Sequence, residues 1–194
     1  MNNYYAVIAS FFDCYDLSHA RSILGKIIKT ADSEKSWKGR YPVDVLHFSE
    51  RLQQLIEAAF GIVEQYDFKP EAEINDDKEL WFLAKHETYC GWHVYSTPWN
   101  FFPRYLSKKE FLDPYKALQK FTSCHSLAVW KMVLKEIVES ALSPNSVDET
   151  DNGSLLSAWL YLHKLVEATH LIEVRSTDEN KKPRFKWKDR DNEY

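Results

Sequence analysis

The amino-acid sequence predicts a mostly α-helical domain, with five or six helices packed around an irregular segment rich in aromatic residues. Apolar residues recur at helical spacings over several long stretches, and only five of the 194 residues are glycine, which disfavours a turn-rich β protein. Seven of the seventeen residues in 89–105 are aromatic, and Pro98 and Pro103 exclude a continuous helix or a central strand there. We expect one helical domain over 1–175 and a charged hairpin or tail over 176–194.

Two apolar stripes predict the N-terminal helices. The stripe over residues 4–29 predicts one amphipathic helix, with His19 on its apolar side. The stripe over residues 42–66 predicts a second helix, which begins at a proline in its first turn. Asn75 is followed by acidic residues, an arrangement typical of a helix N-terminus, so we expect a third helix over 76–90.

Two capping motifs follow the aromatic segment. Ser107 and Glu110 have the spacing of a capping box. Asp113 before Pro114 is typical of a second helix start, because proline is favoured in the first turn. A regular stripe over 127–141 then predicts another helix, with charged residues on the opposite side.

The C-terminal part predicts one more helix and an ambiguous end. An apolar stripe runs over residues 155–169 and fades there. The segments 171–175 and 183–188 have the alternating character of strands, so we expect either a small β-hairpin or a frayed tail.

Composition places the chain among globular proteins of a reducing compartment. Hydrophobic residues make up 44% and charged residues 28% of the sequence. The three cysteines, Cys14, Cys90 and Cys124, are odd in number and far apart, which disfavours a disulfide framework. The N-terminus lacks the features of a signal peptide, and no apolar run is long enough for a membrane span. We therefore expect a cytoplasmic protein that does not bind membranes.

The aromatic segment is the first candidate functional surface. An aromatic ring buries roughly 150 to 250 Å² when packed, so these rings need a groove. They form either a plug that closes the core or a platform for a ligand or partner. The residues of the candidate platform are Trp92, Tyr95, Trp99, Phe101, Phe102 and Tyr105.

Two triplets have spacings at which a helix presents metal ligands on one face. They are His163, Glu167 and His170, and His86, Cys90 and His93, each at positions i, i+4 and i+7. Imidazole, thiolate and carboxylate are ligands for zinc, iron or manganese. We expect these to be ordinary core or surface residues without a cofactor, with a zinc, iron or manganese site as the alternative.

Glu167 and His170 also have the Glu-x-x-His spacing of di-metal helical bundles. Such a bundle needs matching pairs on facing helices, and the other acid–histidine pairs here are Asp16 with His19 and Asp44 with His47. In a chain with seven histidines and 29 acidic residues, several such spacings arise by chance.

The C-terminal segment is a third candidate. Arg184, Lys186 and Lys188 alternate with Phe185 and Trp187. Basic and aromatic side chains together can bind a phosphate backbone and stack on bases. The same alternation is typical of an exposed edge strand or of a tail that binds an acidic protein partner.

These patterns favour a non-catalytic interaction or regulatory domain. No G-x-S-x-G, G-x-G-x-x-G or Walker motif is present, and Cys124 and His125 are adjacent, so on a helix they point in different directions. The alternatives are a metal-dependent enzyme of the helical-bundle type and a nucleic-acid-binding protein. A protein partner is expected, and the chain is consistent with a monomer or a homodimer.

Overall fold

The structure is a computed structural model that describes residues 3–33, 35–38, 41–65, 89, 100–143 and 152–175, with the backbone alone at 152–154. It contains, within these ranges, seven helices and no strands. The helices are α1 (Tyr4–Cys14), α2 (Leu17–Ala31), α3 (Pro42–Gln65), α4 (Lys108–Leu112), α5 (Pro114–Cys124), α6 (Leu127–Leu142) and α7 (Asn152–Arg175). The prediction of a mostly helical fold is confirmed.

One apolar core connects these helices. α2 packs against α6 and α7, while α3 packs against α1, α5 and α6. Phe121 of α5 stacks on Trp130 of α6, with ring centroids 4.2 Å apart, and the Trp130 indole N–H donates to the Phe121 carbonyl oxygen at 3.1 Å. Trp130 is the largest fully buried side chain in the described core, and this hydrogen bond gives its indole N–H a partner.

The predicted first helix over 4–29 is in fact two helices. α1 ends at Cys14, and Tyr15 is extended, with φ −136° and ψ 116°. Asp16 then caps α2, its carboxylate accepting the backbone N–H of His19 at 2.7 Å. An aspartate is favoured at such a cap, and the capped end lets the chain change direction. His19, which was expected on the apolar side, is exposed.

Three other predicted helix starts are confirmed. α3 begins at Pro42. Ser107 and Glu110 form the expected capping box, in which each side chain accepts a backbone N–H from the other residue. Asp113 caps α5, and Pro114 is in its first turn.

Glu110 also holds α4 against α5 and α7. Its fully buried carboxylate accepts hydrogen bonds from Lys120 of α5 at 2.8 Å and from Lys164 of α7 at 2.9 Å. Burial acts to raise the pKa of this carboxyl. The hydrogen bonds from Lys120, Lys164 and Ser107 outweigh that effect and lower its pKa from 4.5 to about 2.

The end of the last helix differs from the sequence prediction. α7 continues without interruption to Arg175, so residues 171–175 are helical and do not supply the first strand of a hairpin. Leu171 and Ile172 are buried, which explains the continuation: their side chains extend the packed face of the helix. Residues 183–188 lie outside the described part of the chain, as does the predicted third helix except for Tyr89.

None of the helices in the described ranges combines the length and the apolar character that crossing a membrane requires.

Candidate functional site

A buried ion pair joins α2 to α7. The guanidinium of Arg21 donates to the carboxylate of Glu167 at 2.9 Å, and the two side chains are only 7% and 0% exposed. Arg21 lies among Leu17, Ala20 and Leu24 on the packed face of α2, where it is the only buried charged residue of that helix. A charge in such a place needs both a counter-ion and further hydrogen bonds to be tolerated.

Those further hydrogen bonds come from the backbone of residues 100–106. Glu167 accepts the N–H groups of Arg104 and Tyr105, each at 2.8 Å, and that of Leu106 at 3.3 Å. Arg21 in turn donates to the carbonyl oxygen of Phe102 at 2.8 Å and to that of Asn100. We call Arg21, Glu167 and this backbone the clasp. It fixes the last part of the aromatic segment on top of α2 and α7.

His163 lies one helical turn before Glu167 and is the least satisfied polar residue near the clasp. It is only 2% exposed, yet neither ring nitrogen has a hydrogen-bond partner among the residues that the structure describes. Leaving a buried polar group unpaired costs about 1–3 kcal/mol. Burial of the imidazole, and then the positive charge of Arg21, lower the pKa of His163 from 6.5 to about 4. The ring is therefore neutral near pH 7, with one donor and one acceptor nitrogen.

Aromatic rings surround one side of this imidazole. The Tyr105 ring lies 4.6 Å from His163 between centroids, and the Trp159 ring lies 5.0 Å away. Tyr105 and Trp159 themselves make an edge-to-face contact at 4.9 Å and 82°. On the other side, a Cβ atom added at Gly25 would still be 4.0 Å from His163 Nε2, so α2 leaves space in front of that nitrogen.

These residues border a cleft of about 380 Å³ between α2, α7 and the clasp. Ligand-binding pockets commonly have volumes of roughly 300 to 1,000 Å³. The wall of the cleft contains two serine hydroxyls, two guanidinium groups, one imidazole, one phenol ring and one indole ring, contributed by Ser18, Arg21, Ser22, Gly25, Arg104, Tyr105, Trp159 and His163. The cleft therefore offers hydrogen-bond donors beside an aromatic surface.

The structure describes half of the predicted aromatic platform. Phe101 is buried and stacks on His170. Phe102 is half-buried against Phe111, while Tyr105 is half-buried and borders the cleft. The segment thus contributes both to the core and to a surface. Trp92, Tyr95 and Trp99 lie outside the described residues, so the platform as a whole stays a prediction.

The predicted ligands on α7 have three separate environments. The Glu167 carboxylate is taken up by the clasp, and His163 is enclosed by Tyr105 and Trp159. His170 forms a 2.9 Å hydrogen bond through Nε2 with the Tyr89 carbonyl oxygen. Within the described ranges, no three histidine, cysteine, aspartate or glutamate side chains are placed to hold one metal ion. Metal binding by this triplet stays a prediction.

The remaining candidates are either engaged elsewhere or not described. Asp16 caps α2, and the imidazole Nδ1 of His47 lies 2.6 Å from the Tyr15 hydroxyl oxygen in a hydrogen bond. The triplet His86, Cys90 and His93 lies outside the described part of the chain, and so does the basic segment Arg184, Phe185, Lys186, Trp187 and Lys188. The predictions made on these two groups remain predictions.

Sequence reasoning missed most of the cleft. It singled out His163, Glu167 and Tyr105, but not Arg21, Gly25 or Arg104. Arg21 carried a usable signal, because it is the one charged residue at apolar spacing in α2. Such a residue is rarely buried unless it is paired. The serines and Arg104 carried no comparable signal, since exposed polar residues occur throughout the chain.

The fold and the site together define a helical domain with a polar cleft that has an aromatic wall. Comparisons with protein-family models, with curated proteins and with solved structures found no match. The chemistry of the cleft is therefore the guide to function.

Proposed function

We propose that the chain is a non-catalytic regulatory domain that binds a small ligand in the cleft between α2, α7 and the clasp. The observation that carries this proposal is His163, a buried imidazole at the cleft wall whose two nitrogens have no hydrogen-bond partner within the described part of the chain. A ligand that pairs with this ring removes the cost of the unpaired group, so binding is favoured there.

The clasp supports a binding role because it holds the cleft in place before a ligand arrives. Arg21 and Glu167 fix the backbone that carries Tyr105, and Tyr105 packs directly on His163. A wall that is already ordered loses little conformational entropy on binding, which favours affinity.

The arrangement of the polar groups supports binding over catalysis. The hydroxyls of Ser18 and Ser22 border the cleft with His163, but the imidazole has no hydrogen bond to either of them. A serine nucleophile needs a base within hydrogen-bond reach, generally about 2.6–3.2 Å. The donors of this cleft therefore face a ligand as separate groups.

The experiment that tests the proposal is a screen of small polar metabolites by thermal shift, followed by two tryptophan variants of α2. Ser22→Trp places an indole at the exposed rim of the cleft. Lys26→Trp is the matched control, since Lys26 is exposed, lies one turn further along α2 and does not border the cleft. We expect a ligand that raises the Tm of the native chain and of the Lys26→Trp variant, but not that of the Ser22→Trp variant.

Two results would contradict the proposal. One is a ligand shift that persists in a folded Ser22→Trp variant, because the ligand would then bind elsewhere. The other is a broad screen in which no compound stabilises the native chain. Circular dichroism of both variants shows whether each keeps its helices.

A further inference from the structure

We propose that the ligand of this cleft is a small acid with a planar heteroaromatic ring, in which a ring heteroatom meets His163 and the anionic group meets Arg104. This inference rests on the binding role proposed above and specifies its ligand class. Three independent properties of the cleft wall support it.

The first property is the aromatic surface. Tyr105 and Trp159 are both half-buried and both border the cleft, so each ring retains exposed area on that side. Their edge-to-face contact holds the two rings nearly perpendicular, with centroids 4.9 Å apart. Planar ligands gain both buried apolar area and favourable ring–ring electrostatics on such a surface. A flexible aliphatic ligand gains only the buried apolar area, without the ring–ring electrostatics.

The second property is the unbalanced positive charge at the rim. Arg104 is exposed, and its guanidinium has no ion pair or hydrogen bond among the described residues, because only its backbone N–H takes part in the clasp. No acidic residue borders the cleft within the described part of the chain. Glu167 is nearby, but its charge is matched by Arg21 and by three backbone amides.

The charge at the rim is local, since the chain as a whole has a formal net charge of −4. A guanidinium binds a carboxylate or phosphate through charge-assisted hydrogen bonds. The hydroxyls of Ser18 and Ser22 border the same cleft and add two further donors. An anionic group is therefore the complement of this rim.

The third property is the depth at which His163 lies. The imidazole is buried and has no hydrogen-bond partner among the described residues, and Gly25 has no side chain to cover its Nε2 atom, which would lie 4.0 Å from a Cβ there. A ligand that pairs with this nitrogen lies beside the Tyr105 and Trp159 rings, which contact the imidazole. A nitrogen or oxygen atom in the ring of the ligand can pair with the neutral imidazole as donor or as acceptor.

The size of the cleft sets the upper limit for the ligand. A volume of about 380 Å³ suits a compound with one or two rings and no polymer. The inference therefore concerns a free small molecule.

The test is a calorimetric titration of the full chain with five probes. Nicotinate has the planar ring, the ring nitrogen and the anion. Nicotinamide lacks only the charge, and benzoate lacks only the ring nitrogen. Cyclohexanecarboxylate differs from benzoate by the loss of the planar ring, and acetate has no ring at all. We expect nicotinate to bind most tightly, with the loss of the charge, of the ring nitrogen and then of the planar ring each weakening binding by about tenfold or more.

Variants of the chain test which residue contacts the anionic group and which contacts the ring nitrogen. Arg104→Gln is expected to weaken nicotinate binding by at least about tenfold while leaving nicotinamide binding unchanged. Because the backbone and not the side chain of Arg104 takes part in the clasp, the variant keeps the fold. Lys109→Gln is the matched control: it removes one exposed positive charge five residues further along and is expected to change neither affinity. His163→Phe is expected to abolish the preference for nicotinate over benzoate.

The outcomes separate this inference from the proposed function. Equal binding of nicotinate and nicotinamide, or an Arg104→Gln variant with native affinity for nicotinate, overturns the ligand class. If only neutral compounds bind and Ser22→Trp blocks their binding, the proposed function is supported, but the inferred acidic ligand class is wrong. If none of the five probes binds at millimolar concentration, the ligand class proposed here is wrong, whatever the wider screen finds.

Discussion

Glu167 is the residue on which the described site most depends. Its buried carboxylate accepts hydrogen bonds from the guanidinium of Arg21 and from the backbone amides of Arg104, Tyr105 and Leu106. Removing one member of a buried pair leaves the other charge without compensation, which is far more costly than replacing both. A substitution at Glu167 therefore affects three segments of the chain: α2, the backbone of residues 104–106 and α7.

We expect Glu167→Ala to lower the free energy of unfolding by about 3–5 kcal/mol, since it leaves a buried guanidinium and three amides without their acceptor. Glu167→Gln keeps one acceptor oxygen and should cost less. Glu139→Ala is the control, because Glu139 is 65% exposed and its contact with Lys135 is 3.7 Å; we expect a change within about 0.5 kcal/mol. Urea unfolding measures all three, and equal losses for Glu167→Ala and Glu139→Ala would contradict the role of the clasp.

Two buried titratable residues predict two separate steps of acid destabilisation. The pKa of His163 is about 4 in the folded chain and 6.5 as the ordinary value, so the unfolded chain binds more protons between these pH values. Stability should therefore decrease as pH falls from 6.5 to 4, by about 3 kcal/mol. The pKa of Glu110 is about 2 when folded and 4.5 ordinarily, so its contribution is lost as pH falls from 4.5 to 2.

Urea midpoints measured across pH test this assignment through variants. We expect His163→Phe to reduce the slope between pH 6.5 and 4 and to leave the lower step in place. Glu110→Gln should reduce the step between pH 4.5 and 2 without altering the upper one. A His163→Phe variant with the native slope above pH 4 would show that another group is responsible.

At the residue level, the sequence pattern identified two residues of the site. It selected His163 and Glu167 because helical spacing places them on one face, and both do lie near one site. In the structure the Glu167 carboxylate pairs with Arg21, 146 positions away, while metal ligation by these residues stays a prediction. Periodicity describes one helix at a time, so it contains no information on which distant side chain will face it.

The helices themselves were largely predictable, because their signals are local. The starts at Pro42, Ser107 and Asp113 follow from capping chemistry that involves only a few neighbouring residues. The break at Asp16 was equally local and was missed, since the apolar stripe continues across it in sequence. The extension of α7 to Arg175 was missed because tertiary packing, and not local preference, keeps that turn helical.

Two glycines inside helices should respond to alanine in opposite ways. A Cβ at Gly25 would meet nothing closer than 4.0 Å, so Gly25→Ala should stabilise the chain by about 0.5–1 kcal/mol through the better helix propensity of alanine. A Cβ at Gly61 would lie 2.1 Å from the Tyr4 ring, so Gly61→Ala should displace α1 from α3 and lower stability.

A double-mutant cycle in urea tests the explanation for Gly61. In a Tyr4→Ala background the obstructing ring is absent, and Gly61→Ala should then be neutral or stabilising. If Gly61→Ala destabilises both backgrounds equally, contact with Tyr4 is not the reason for the glycine.

For the whole molecule, the clasp connects the beginning, the middle and the end of the described chain. Arg21 belongs to the second helix, the amides of 104–106 to the segment before α4, and Glu167 to the last helix. Since these amides donate to a fully buried carboxylate, they cannot exchange with solvent unless that contact opens. The protection of three loop amides therefore reports on the docking of two distant helices.

We expect the N–H groups of Arg104 and Tyr105 to show hydrogen exchange nearly as slow as amides in the core of α6. The amides of residues 35 and 36, which belong to exposed residues between α2 and α3, should exchange rapidly in the same experiment. In Glu167→Gln, protection at 104 and 105 should decrease much more than protection in α6. Exchange as fast at 104 as at 35 in the native chain would be incompatible with the clasp.

The sequence separation within the clasp has a consequence for synthesis on the ribosome. Arg21 and Glu167 are 146 positions apart, and chains are elongated at about 5–20 residues per second, so roughly 7 to 30 s pass between the two residues. During that interval the nascent chain contains the arginine without its carboxylate, and α7, one wall of the cleft, does not yet exist. If the cleft binds a ligand as proposed, that binding requires α7, so a nascent chain can bind the ligand only after this helix has been translated.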